Sequence, residues 1–288
     1  MSKEEKSMRF GRRLRLGFTV AILLIFVVLE IFPFWLSLVQ SLQPRDFTVM
    51  NTIEIWPQAF SIENYAIAWR DANLELGYLW SLIYSVFFTA VTAVICLITA
   101  YVLEKKQFRG RNFVFMFFMS ALMVPGEILM ITNYLLITEM GLLKTPFAVV
   151  MPGLVSVFGI FLMKQFMHSV PDSVIESSKL DGANELTIIF RIVFPLAMPA
   201  VATYCIMTFT AQWNEYLWPQ LVLADNEAFY NVQLRLLLYR PIIDGNISHP
   251  YAYALRMAAT MLTLIPVLIV YFVFQKHFTE GISISGLK

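Results

Sequence analysis

The sequence predicts an all-α, polytopic membrane protein with six transmembrane helices and both termini on the cytoplasmic side. Three observations carry that expectation. Of the 288 residues, 58% are hydrophobic and only 14% are charged, where a soluble domain has about 25% charged residues. The apolar residues are gathered into six long runs, each of the length an α-helix needs to cross a hydrocarbon core. Lysine and arginine, finally, are concentrated in alternate connections between those runs. This balance excludes a disordered chain, a nucleic-acid binder and an ordinary soluble enzyme. The two cysteines, Cys96 and Cys205, lie within apolar runs and imply no disulfide framework.

The runs fall at 17–39, 79–103, 113–137, 146–167, 192–218 and 254–275. None shows the period-two alternation of a membrane barrel strand. The first continues past Glu30 to Val39 with no small-x-small site behind it, so it is expected to be a retained anchor rather than a cleaved signal peptide. With the N-terminus inside, 15 of the 21 Lys and Arg lie in cytoplasmic segments, among them Arg9, Arg12, Lys105, Arg109, Lys164 and Lys179. An even number of spans then returns the C-terminus to the same side. Two extracytoplasmic stretches, 40–78 and 219–253, are long and rich in aromatic and turn residues such as Trp56, Tyr65, Tyr230, Pro241 and Gly245. Long ordered connections are uncommon unless they have a function.

The cytoplasmic connection 168–195 is patterned. Ser169 and Asp172 are spaced as in a capping arrangement, with Pro171 in a first turn where its missing N–H costs nothing. A short helix to Leu180 follows, with Val174, Ile175 and Ser178 on one side. Gly182 should break it, because glycine accepts positive φ without penalty. Asp181 can cap a second helix with an apolar stripe of Leu186, Ile189 and Phe190. A helix resting in lipid headgroups is usually rich in Lys and Arg. This segment instead sets Asp172, Glu176, Asp181 and Glu185 against Lys179 and Arg191. That charge suits docking to a protein better than contact with anionic lipid.

Within the spans, ionisable residues are functional candidates. Glu127 follows Pro125–Gly126, a pair that interrupts a helix at membrane depth; it could line a path or its gate, or pair with a neighbouring span. Glu30 is expected to make a hydrogen bond inside the bundle, and Arg256 to reach the outer surface. Gln212, Trp213, Asn214, Glu215 and Tyr216 place ring faces beside amides and a carboxylate, the groups that bind sugar C–H surfaces and hydroxyl pairs. An interfacial aromatic belt would explain the rings but not their polar neighbours. Zinc-protease and paired-cysteine patterns are absent. The tail 281–288 (GISISGLK) lacks the Gly-Lys-Ser/Thr ending of a phosphate loop.

Pro171, Glu176, Asp181, Gly182, Ala183, Phe190 and Pro195 together resemble the "EAA" loop of permease subunits of binding-protein-dependent ABC importers. Ser177 and Ser178 stand where that loop usually has alanines. The stretches QFRGRN (107–112), VPGE (124–127), GLL (141–143), WNEYLWP (213–219) and EGISISGLK (280–288) resemble the carbohydrate-uptake branch, of the maltose-permease G-subunit type. The resemblance covers 79–288 and implies a permease domain there, preceded by an N-terminal segment, anchor and loop over 1–78.

It further implies that Pro171, Glu176, Ser177, Ser178, Asp181, Gly182, Ala183 and Phe190 couple the chain to a cytoplasmic ATPase. The tail, with Gly281, Gly286 and Lys288, would reach between two ATPase copies. The implied partners are a second, homologous permease in a heterodimer, two ATPases, an extracytoplasmic solute-binding protein and membrane lipid, with no nucleic acid. ATP-Mg would be used by the ATPase, and no cofactor would be bound by this chain. The competing expectation is a membrane scaffold or sensor that recruits a cytoplasmic partner through the acidic loop without transport. An ATP-independent carrier would need corresponding broken spans in two halves, a symmetry the sequence lacks.

Overall fold

The computed structural model describes residues 3–44, 55–57, 60–246 and 249–285. In chain order the helices are α1 (Lys3–Ser41), α2 (Glu63–Asp71), α3 (Leu74–Lys105), α4 (Arg111–Ala121), α5 (Gly126–Glu139), α6 (Pro146–Val150), α7 (Val157–Met167) and α8 (Asp172–Leu180). There follow α9 (Glu185–Leu196), which contains a π-helical stretch at Ile188–Val193, then α10 (Met198–Asn214), α11 (Leu217–Leu223), α12 (Val232–Leu238) and α13 (Pro250–Ser285). No strand occurs among the described residues, only an isolated bridge between Ile243 and Asn246.

Among the described residues, three helical stretches are long and apolar enough to cross a membrane: Arg15–Ser41, Leu74–Lys105 and Pro250–Phe274. Two further runs are interrupted. The pair α4 and α5 is bent by 97°, and the pair α9 and α10 by 82°, giving up to five spans if each pair counts as one. Prolines explain both bends. Pro125 lacks an N–H and pushes the residue before it out of helical geometry, while Pro195 and Pro199 flank the turn at Ala197. The run 146–167 is also divided: the five-residue α6 and the eleven-residue α7 are separated by an irregular stretch containing Pro152–Gly153.

The described residues group into two compact units. One comprises the described parts of Met1–Ala72 and Tyr239–Leu262. Its knot is Asn64, fully buried, whose amide donates to the carbonyls of Ser41 and Gln43 at 2.8 Å each and accepts from the Tyr251 hydroxyl at 2.9 Å. Glu30 in α1 is exposed, so the expected bond inside the bundle is not made among the described residues of this unit.

The other unit comprises the described parts of Asn73–Leu238 and Thr263–Lys288. Here α3 is the central post, with α7 and α10 against it. Small residues along α3 (Ala93, Cys96, Ala100) let the neighbours close in. The tightest approach is at Gly159 of α7, where an added Cβ would lie 2.5 Å from Tyr204 Cε2 and 2.7 Å from Cys96 Sγ. Ile175 of α8 and Ile188, Ile189 and Val193 of α9 belong to the same buried cluster. The loop 168–195 is therefore part of the core of this unit. Gly159→Ala should destabilise the unit by about 1–3 kcal/mol through overpacking. Thermal unfolding in detergent would show it as a lowered midpoint, whereas an unchanged midpoint would contradict so close a contact.

Candidate functional site

The loop is an elbow made by a glycine. α8 runs to Leu180, and Gly182 turns the chain at φ +84° with open space around it. The amide of Gly182 donates to the Lys179 carbonyl at 3.0 Å and that of Ala183 to the Ser178 carbonyl at 3.0 Å. These two bonds satisfy the last carbonyls of the helix and fix the turn. The expected face of α8 is the one that packs: Ile175 is buried, with Val174 and Ser178 half-buried. Glu176, Ser177, Asp181 and Gly182 lie on the exposed side, and Ala183 packs against the core.

Three details differ from the sequence-based expectation. Ser169 does not cap α8; its hydroxyl donates back to the Phe166 carbonyl at 2.7 Å. The second helix is capped by Asn184, which accepts from the Thr187 amide at 2.8 Å, because the glycine turn leaves Asp181 too far back along the chain. Its buried face is Ile188, Ile189 and Val193, while Leu186 and Phe190 are exposed. The π-helical stretch shifts the register that an ideal 3.6-residue repeat would give. Leu180 is 88% exposed and Leu186 63% exposed. Together they put apolar tips on an otherwise polar elbow, a signal the sequence carried but that only the burial pattern picks out.

The acidic character of the elbow is also divided. Asp172 accepts from Lys105 Nζ at 2.7 Å, and Glu185 is paired with Lys106, so two of its four acids are matched within the chain. Glu176 and Asp181 remain on the outer face.

A second feature is a cleft of about 490 Å³ between α3, α10 and the irregular stretch ahead of α7. Its polar wall is Ser156, Tyr204, Thr208, Gln212 and Glu215, opposed by Phe88 and Phe158. Non-helical backbone at membrane depth is tolerated where it faces protein or a watery cavity. Here Ser156 also caps α7, accepting from the Gly159 amide at 3.1 Å.

Only Gln212 and Glu215 of the expected path residues reach the cleft. Trp213 is fully buried, stacked near Phe209 and edge-on to Tyr78, with its indole N–H donating to the Thr263 carbonyl at 3.2 Å. That corrects its expected place on a path, because consecutive helical residues point about 100° apart. Asn214 is exposed and accepts from Gln233 at 3.3 Å, and Tyr216 is exposed outside the cleft lining. Glu215 also caps α11, its carboxylate accepting from the amides of Leu217 at 2.9 Å and Trp218 at 3.1 Å. Glu127 is exposed in the first turn of α5 and is not part of the cleft. Of the tail residues, Gly281 lies in α13, whereas Gly286 and Lys288 fall outside the described residues.

Elsewhere in this unit, Lys144 holds the Asp225 carboxyl below the usual range by a direct ionic hydrogen bond. Burial lowers the Arg235 guanidinium from its ordinary value.

Broken apolar helices around a polar cleft, with a compact glycine elbow packed on one side into the same core and exposed on the other, define a polytopic membrane protein. The sequence pattern of the family described as "Binding-protein-dependent transport system inner membrane component" matches residues 95–284. The chain belongs to that family, and its place is the inner membrane. It is 28% identical over 279 residues to the arabinooligosaccharides transport system permease protein of Bacillus subtilis (strain 168), covering 94% of this chain and 96% of that one. The polygalacturonan/rhamnogalacturonan transport system permease protein of the same organism is 29% identical, over 92% of this chain and 95% of its own length. The lactose transport system permease protein of Rhizobium radiobacter is 27% identical, over 88% and 89%. Among solved structures, a bacterial ABC transporter involved in import of the acidic polysaccharide alginate superimposes with a TM-score of 0.79 at 23% identity, covering 96% of this chain and 99% of that one. That likeness establishes the fold. Nothing in these comparisons favours the scaffold reading.

Glu215→Ala should loosen α11 by about 1 kcal/mol through loss of its cap, whereas Glu215→Gln, which keeps an acceptor, should cost less. Limited proteolysis between α10 and α11 distinguishes them, and equal cleavage of both variants would remove the capping role.

Proposed function

We propose that this chain is one permease half of an ABC importer that carries a carbohydrate across the cytoplasmic membrane, with ATP hydrolysed by a separate subunit. In this reading residues 79–288 are the permease domain, six segments cross the membrane, and the termini and the 168–195 elbow face the cytoplasm. The excess of Lys and Arg in the corresponding segments supports that orientation. The partners are a homologous permease, two ATPases that use ATP-Mg, and an extracytoplasmic solute-binding protein. The family supports the binding protein, and the relatives named for sugar transport support the solute class.

The observation that carries the proposal is the two-sided elbow. Its inner side, through Ile175, Ile188 and Ile189, is sealed into the core around α3, while its outer side presents Glu176, Asp181 and the exposed Leu180. An element anchored on one side and offered on the other can pass rigid-body motion from an engine to the spans. Apolar tips ringed by acids and hydroxyls suit a groove in a protein better than lipid headgroups. Pro171, Ser177, Ser178, Gly182, Ala183 and Phe190 hold the shape of this element or rim it. Gln212 and Glu215 are the candidates of this chain to meet a polyhydroxylated solute, a role supported by their place on the polar wall of the cleft. Glu127, at the break between α4 and α5, is the gate candidate.

Two measurements test the reading. Gly182→Val forces a β-branched residue into positive φ, a strain of about 1–2 kcal/mol. It should leave membrane insertion intact while abolishing co-purification of the ATPase; full co-purification would refute the docking role. Calorimetry of the cognate solute-binding protein against arabinooligosaccharides, lactose, rhamnogalacturonan fragments, amino acids and metal ions should show binding to a saccharide alone. Selective binding of an amino acid or a metal would overturn the solute class.

A further inference from the structure

The two acids of the elbow that are matched within the chain converge on one place, the C-terminal end of α3. Lys105 is nearly enclosed, its side chain 7% exposed. Its ammonium donates to Asp172 Oδ1 at 2.7 Å and to the Val170 carbonyl at 2.6 Å, both at the start of α8. The adjacent Lys106 pairs with Glu185 at the start of α9, and the buried Tyr101 hydroxyl donates to the other oxygen of the same carboxylate at 2.8 Å. The end of α3, with the residue that follows it, therefore grips both helices of the elbow at their starts. On the far side of that turn, Glu104 accepts from Lys164 Nζ at 2.7 Å and meets His168 Nδ1 at 2.9 Å, tying in the end of α7.

We propose that Lys105, Lys106 and Tyr101 are positioning residues that clamp the elbow to α3, so that displacement of the elbow enters the membrane through α3 as well as through α10. Resting on the coupling role proposed above, the clamp adds a second transmission route. The covalent route passes through the bend at Ala197, where a π-helical stretch and two prolines leave the backbone ladder irregular. There Pro195 and Pro199 lack the N–H groups that would continue the ladder. The ionic clamp bypasses it and meets a continuous helix of 32 residues that packs on both α7 and α10. The geometry of the charges fits, with lysines at the C-terminal end of α3 and carboxylates in the first turns of α8 and α9, each favoured by its helix dipole.

The test is hydrogen exchange measured by mass spectrometry on the full complex in lipid nanodiscs, with the sister permease and ATPases present, before and after addition of ATP with orthovanadate. In the natural protein, exchange should change both over 172–187 and over the last two turns of α3. In Lys105→Met/Lys106→Met the change over 172–187 should persist, while that in α3 falls about threefold or more, as expected for coupled contacts. The swap Lys106→Glu/Glu185→Lys should restore part of the α3 response lost in either single variant. Glu185→Gln, which removes only one ion pair, serves if the double lysine variant does not assemble. An undiminished α3 response in these variants, or no α3 response in the natural protein, overturns the clamp and leaves the docking role standing. No change over 172–187 in the natural protein overturns the docking role itself, and the clamp with it.

Discussion

The packing of α3 against α7 and α10 is the constraint on which the larger unit depends. It is made possible by what is missing from side chains: Gly159 brings α7 within reach of Tyr204 and Cys96, and alanines and a cysteine on α3 leave room for both neighbours. In a hydrocarbon solvent, association of helices cannot rely on hiding apolar surface from water, so close contact and polar bonds must supply it. Contacts such as the Cys96 thiol on the Ser156 carbonyl at 3.4 Å belong to that kind. Because the buried cluster continues into Ile175, Ile188, Ile189 and Val193, the elbow is an extension of the membrane core.

The breaks in the helices are the second organising feature. Pro125, the Pro152–Gly153 pair and Pro195 with Pro199 each free backbone groups that water cannot satisfy within a bilayer. Local bonds answer part of that demand: Ser156 caps α7, and Ala197 donates to the Val193 carbonyl at 2.8 Å. The cleft lies where the second of these breaks meets α3 and α10. Irregular backbone and a polar wall thus occur together, as expected when the irregularity lines a cavity rather than lipid. Glu215 joins the two roles, with one carboxylate oxygen holding the start of α11 beside the cleft it borders.

Charge in the elbow works at two levels. Asp172 and Glu185 fix where the elbow sits, because their partners Lys105 and Lys106 are carried by another part of the chain. Glu176 and Asp181 give its exposed side a negative charge. A count of acids along the loop merges these roles, and only the positions of the lysines separate them.

The sequence by itself determined the helical, membrane-spanning class, the places of the apolar runs, the packed face of α8 and the turn at Gly182. Each follows from local chemistry: run length against bilayer thickness, the 3.6-residue period, and the tolerance of glycine for positive φ. The division of the run 146–167, the cap at Asn184 and the exposure of Leu186 and Phe190 were decided elsewhere. They depend on which carbonyls find donors after a proline and on how a π-helical stretch rotates the face that follows. The candidate site was legible as a set of residues but not as a geometry. Trp213 goes to the core while Gln212 and Glu215 reach the cleft, because a helix fans neighbouring residues apart and only the packing around it says which direction is open.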